Sequence, residues 1–123
     1  MLLGSEMMFL KKLTLKYKVK KKKWVLAGTS NGGIAAFNLL NKAPKLFKKV
    51  YLMPGYIDDS VKVNKAWKRI KFVMAYGESD EQSWKDKVKS SSERLKKVQT
   101  FEMKGQGHII KLDYDQNQIY KLL

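Results

Sequence analysis

The chain has no cysteine among its 123 residues. This excludes disulfides, thiolate zinc sites and a cysteine nucleophile, and leaves the compartment open. Histidine is almost as scarce. His108 is the only one, so a base that titrates near neutral pH has one place to come from. Proline occurs only at Pro44 and Pro54. No apolar run approaches the roughly 18 residues that a membrane span requires. The first ten residues carry Glu6 and no early positive charge, which does not read as a secretory leader and gives a cytoplasmic expectation. Acidic residues are few, 11 against 26 basic ones, and the formal net charge is +15. That excess suits nucleic acid, an anionic membrane or acidic substrates as partners. The lysines are spread over every segment, however, and only Lys68-Arg69 offers an arginine-type reader. Lysine-rich composition without arginine clusters or interleaved aromatics is a weak signal of base recognition. The expectation is a solvated, lysine-biased surface with no specific nucleic-acid partner.

What is present suits a folded protein. Hydrophobic residues make up 44% and charged residues 30% of the chain, a soluble globular balance. The length allows one modest domain, 1–123, with one core. Met7, Leu10, Leu13 and Tyr17 recur at helical spacing over residues 6–18, and a lysine run then leads into the apolar stretch Trp24-Val25-Leu26-Ala27. Short, continuously apolar and bounded by charge and glycine, that stretch reads as a strand buried on both faces. A helix through Ile34, Phe37 and Leu40 follows and stops before Pro44, which disfavours helical geometry at Ala43. Further strands are expected at Val50-Tyr51-Leu52-Met53, at residues 70–76 and at residues 98–103. Asp58, Asp59 and Ser60 suggest the cap of a short helix. A long helix is expected through Trp84, Val88, Leu95 and Val98, and a terminal one over 115–123. The methionines read as core filling. Alternation of this kind means an α/β fold with a parallel sheet.

Between the first strand and the first long helix stands Gly28-Thr29-Ser30-Asn31-Gly32-Gly33. This is a G-x-S-x-G turn, the pattern of a nucleophile elbow. A serine at the tip of a sharp strand-to-helix turn sits in a strained backbone, and its neighbours two before and two after are expected to approach each other too closely for side chains. Gly33 gives the helix room to lie close on the sheet. The first free N–H groups of that helix then stand beside the serine oxygen, where negative charge develops in acyl transfer. The plain alternative is a helix N-cap, for which Thr29, Ser30 and Asn31 are all suited.

In an open parallel sheet, catalytic groups gather at the carboxyl ends of the strands. Ser30 follows the first strand, Asp80 the third and His108 the fourth. Serine needs a base to become a nucleophile, histidine supplies it and returns the proton, and a carboxylate orients the imidazole. Glu78 and Glu81 compete with Asp80 for the acid role, and Asp80 also suits the cap of the helix after it.

With those residues in place, the chain resembles the C-terminal half of an α/β-hydrolase of the serine esterase/lipase kind. The marks are the serine turn, the acid turn Tyr76-Gly77-Glu78-Ser79-Asp80 and the histidine loop Gly105-Gln106-Gly107-His108, supported by Pro44-Lys45-Leu46-Phe47-Lys48-Lys49-Val50-Tyr51. The resemblance implies a partial fold of about four parallel strands with flanking helices, the strands that precede the serine strand being absent. It implies Ser30 as nucleophile, Asp80 as acid, His108 as base and the Asn31 backbone N–H as one oxyanion donor, with Gly28, Gly32 and Gly33 as structural glycines. The substrate would be a carboxylic ester or related acyl compound, and no metal or other cofactor is implied. The second oxyanion donor of the family belongs to the half not seen here, and losing one such donor typically costs about 10²–10³ in rate. A weak or silent fragment acting through association is therefore the competing expectation. The serine strand would have an open edge, to be covered by a second copy or by a missing N-terminal half. A salt-sensitive binder of anionic surfaces is a third reading, without a recognition motif behind it.

Overall fold

A computed structural model describes residues 24–111. The helices expected at 6–18 and 115–123 lie outside these residues. The described chain runs β1 (Trp24–Gly28), α1 (Asn31–Lys42), a 3-10 turn (Pro44–Leu46), β2 (Phe47–Leu52), a second 3-10 turn (Lys65–Arg69), β3 (Lys71–Gly77), α2 (Gln82–Glu93) and β4 (Val98–Met103). The four strands form one sheet in the order β1-β2-β3-β4, and all three neighbouring pairs are parallel. The α/β expectation of about four parallel strands with flanking helices holds.

One face of the sheet carries the main core. Phe37 and Leu40 of α1, Trp67 of the second 3-10 turn, Val88 of α2 and the inward residues Val50, Leu52, Phe72 and Met74 of the strands form one buried cluster. Aromatic rings organise its centre: Phe37 stacks on Phe72 at 6.0 Å and tilts against Trp67 at 5.4 Å. The buried Trp67 Nε1–H is satisfied by donating to the Leu40 carbonyl at 3.3 Å, since an unpaired buried donor is costly. The other face places Tyr51, Val73 and Ala75 together, with Met53, Phe101, Met103 and Ile110 against them. Period-two alternation explains how one strand serves both clusters.

Several expectations change in detail. β1 is not buried on both faces. It lies at the edge of the described sheet and alternates half-buried with exposed, Val25 being 44% exposed. β3 has the doubly buried character instead, from Phe72 to Gly77. β2 begins at Phe47, earlier than expected, because a single 3-10 turn starting at Pro44 reverses the chain quickly. No helix starts at residues 58–60. The Asp58 carboxylate accepts from the Ser60 hydroxyl within a turn, and the short helical turn comes later, where Asn64 Oδ1 accepts from the Ala66 N–H at 2.9 Å. α2 ends at Glu93, so Leu95 and Val98 are not on it. Leu95 enters the same core from the connection, which is why its spacing mimicked a longer helix.

Candidate active site

Ser30 stands between β1 and α1 with φ 56°. Positive φ is uncommon for a side-chain-bearing residue and is held only where the surroundings fix it. Here they do. The Ser30 N–H donates to the Pro54 carbonyl at 2.9 Å, the Met53 N–H donates to the Gly28 carbonyl at 2.9 Å, and the Thr29 hydroxyl donates to the Met53 carbonyl at 2.6 Å. The loop after β2 thus fastens the serine turn along its backbone. The close packing of this turn depends on glycine. A Cβ on Gly28 would meet the Gly32 carbonyl oxygen at 2.6 Å, and one on Gly33 would run into the backbone of Pro54 and Gly55. The third expected structural glycine differs: a Cβ on Gly32 meets nothing within 4 Å. Only the carbonyl of Gly32 approaches its partner, so the crowding falls on one side of the pair.

Asp80 and His108 come from the loops after β3 and β4. These two loops lie backbone against backbone: the Ser79 N–H donates to the Gln106 carbonyl at 2.9 Å, the Glu78 N–H donates to Met103 at 3.0 Å, and a side chain on Gly77 would collide with the Gly107 and Gln106 carbonyls. Asp80 is buried, and its carboxylate also accepts from the Glu81 N–H at 2.7 Å. The imidazole bridges the two remaining partners. His108 Nδ1 lies 3.0 and 3.1 Å from the two Asp80 carboxylate oxygens, and Nε2 lies 2.8 Å from Ser30 Oγ. With the Nδ1 proton facing the carboxylate, Nε2 is an acceptor for the serine hydroxyl.

The structure therefore brings Ser30, Asp80 and His108 together across 78 positions of sequence. Of the competing acids, Glu78 turns away, its Oε1 accepting from the Gly105 N–H. Glu81 lines the hollow but does not bond His108. Asp80 is not the cap residue of α2, a position that Glu81 takes. Asn31 opens α1, and its N–H makes no hydrogen bond to a described residue, leaving a donor at the positive end of the helix beside Ser30. Ser30, Ser79, Asp80, Glu81, Trp84 and His108 line an open hollow of about 410 Å³. Among the described residues no group of acids and histidine is placed to hold a metal ion, and no helix is long and apolar enough to cross a membrane.

Sequence reasoning missed three contributors. Pro54 was legible only as a strand stop, although its carbonyl holds the serine turn. Gly77, at the end of β3, and Gly107, in the loop after β4, are a contact pair whose signal was a glycine in the acid turn and another in the histidine loop. Trp84 read as helix core, yet its ring meets the His108 imidazole at 4.5 Å.

Comparison with known proteins bears on the family and the fold. The model of the Esterase family matches residues 8–104. No curated protein matches the sequence. Among solved structures, the Bacillus cereus carboxylesterase has a TM-score of 0.71 at 20% identity, covering 93% of this chain and 54% of that one. An α/β-hydrolase enzyme from a sediment metagenome of the lagoon of Mar Chica, Morocco, has a TM-score of 0.67 at 11% identity, covering 97% and 66%. A ferulic acid esterase has a TM-score of 0.62 at 18% identity, covering 94% and 56%. At these identities the likeness is one of fold. The chain spans between 47% and 66% of the length of these and similar structures. With the family model covering most of its length and a sheet that shares the fold of α/β-hydrolases, the chain belongs to the Esterase family.

Proposed function

We propose that this chain carries the nucleophile, acid and base of a serine hydrolase that cleaves a carboxylic ester through an acyl-enzyme. One observation carries the reading: a continuous hydrogen-bonded line from Ser30 Oγ through His108 to the buried Asp80 carboxylate. As Ser30 Oγ attacks the ester carbonyl, His108 Nε2 takes its proton, and the carboxylate of Asp80 stabilises the imidazolium. The Asn31 N–H faces the oxyanion of the tetrahedral intermediate. The imidazolium returns the proton to the departing alkoxide, the alcohol leaves, and the acyl group stays on Ser30 Oγ. Water then repeats the attack with His108 as base, which releases the acid and restores the hydroxyl. Esters are favoured over thioesters and amides by the family and by the carboxylesterase and ferulic acid esterase among its fold relatives.

The test is covalent labelling with a fluorophosphonate probe, mapped by mass spectrometry. Labelling is expected at Ser30, absent in Ser30→Ala and abolished or nearly so in His108→Ala, with melting temperatures close to wild type. Asp80→Asn is expected to slow acyl transfer by about 10⁴-fold, the cost of the wrong imidazole tautomer in such a triad. Probe uptake that persists at another residue in Ser30→Ala would falsify the mechanism. A second reading, association without turnover, is favoured by the position of β1 at the edge of the described sheet with Val25 exposed. Folded wild-type protein that takes no probe supports it instead.

A further inference from the structure

His108 sits in an irregular loop, and its side chain is 35% exposed. Its two hydrogen-bonding partners lie at opposite ends of the ring, Asp80 at Nδ1 and Ser30 at Nε2. Two anchors on one line fix that line but not the ring plane. The imidazole can rock about the axis joining them while both bonds stay nearly the same length. A third contact away from the axis removes that freedom, and Trp84 supplies it. The two ring centroids are 4.5 Å apart at an interplanar angle of 65°, an edge-to-face geometry favoured between aromatic rings. Trp84 is anchored in turn. It lies in the first turn of α2, and its ring meets Tyr56 edge-on at 5.0 Å. Lys87, one turn further along α2, holds its ammonium 4.8 Å from the centre of the Tyr56 ring. The ring that the imidazole meets is thus carried by a helix.

We propose that Trp84 is a positioning residue for His108. It sets the plane of the imidazole between Asp80 and Ser30, with Tyr56 and Lys87 as its buttress. The groups around the imidazole are the Asp80 carboxylate, the Ser30 hydroxyl and the Trp84 ring, with Ser79 and Glu81 in the same hollow. The effect of Trp84 on rate rests on the hydrolase reading above; its contact with His108 does not.

The experiment has two readouts, so the two readings fail separately. Trp84 emission, taken as wild type minus Trp84→Phe to remove Trp24 and Trp67, is followed as the pH is lowered from about 8 to about 5. Emission is expected to fall on acidification as the adjacent imidazolium quenches the indole, and to stay flat in the same difference on a His108→Gln background. No fall in wild type, or the same fall without His108, overturns the proposal. The second readout is the rate of fluorophosphonate labelling. Trp84→Ala is expected to slow it by about 10- to 100-fold, the cost of a misplaced catalytic group, and Trp84→Phe to recover most of that loss. Labelling of Trp84→Ala at the wild-type rate overturns the proposal. Should Trp84→Ala fail to fold, Tyr56→Leu replaces it, with severalfold slower labelling expected and an unchanged rate as the overturning result. Wild-type protein that takes no probe rejects the hydrolase reading, and the emission then decides the role of Trp84 alone.

Discussion

Three glycines surround Ser30, and the backbone around them tolerates a side chain at only one. Gly28 and Gly33 each face backbone atoms that cannot swing aside, so Gly28→Ala and Gly33→Ala are expected to destabilise the fold by about 1–3 kcal/mol, the usual range for overpacking. Gly32 lies in the first turn of α1 with open space where its Cβ would be, and Gly32→Ala is expected to stabilise by about 0.5–1 kcal/mol through the smaller entropy lost on folding. Urea midpoints at unchanged m-value measure all three. Tyr76 offers a second test. Burial, then its hydrogen bond to Glu102 and the negative charge there, raise its phenol above the ordinary 10.0. A raised acid favours the neutral form in the folded state, so its stabilisation is complete below about pH 10 and is lost as pH climbs through the folded value. Melting temperature is expected to fall above that pH, and to fall less steeply in Tyr76→Phe. Ser30, Asp80 and His108 were legible as letters because each follows a strand end. Trp84 was not, because its place at helical spacing says which element holds it and nothing of which ring it meets.

At the scale of elements, lysines of β2, of β3 and of the residue before β4 stand at neighbouring positions. Lys49 pairs with Lys71 in the ladder, and Lys97 stands next to Lys71, one step before the Phe72–Val98 pair, with its carbonyl accepting from the Phe72 N–H. Like charges on directly opposed strand positions repel. Lys71→Thr is expected to raise the melting temperature, and the gain is expected to shrink as salt screens the repulsion; a gain that does not depend on salt would assign the effect to strand propensity instead. β3 was readable from a short apolar run closed by glycine, and β4 from the run that leads to the glycine loop at 105–107. The end of α2 was not, because Leu95 reaches the core from the connection and continues the helical spacing by coincidence of position. The turn at 44–46 was hidden for another reason: Pro44 marks where a helix stops without saying how tightly the chain then turns.

For the whole molecule, the net charge of +15 opposes compaction by self-repulsion. Wild-type stability is therefore expected to rise with ionic strength from about 0.01 to 0.15 M, as the Debye length contracts from about 30 to 8 Å, and thermal melts at fixed pH check this. The order of the four described strands in space is their order in the chain, so among them each new strand is added to the growing side of the sheet. The serine turn is held by Met53 and Pro54, about two dozen positions after it, whereas His108, which bonds its hydroxyl, is 78 positions downstream. At a synthesis rate of about 5–20 residues per second, the Ser30 hydroxyl waits roughly 4–16 s for an imidazole. A nascent chain that ends before residue 108 therefore holds the complete serine turn with no imidazole beside it.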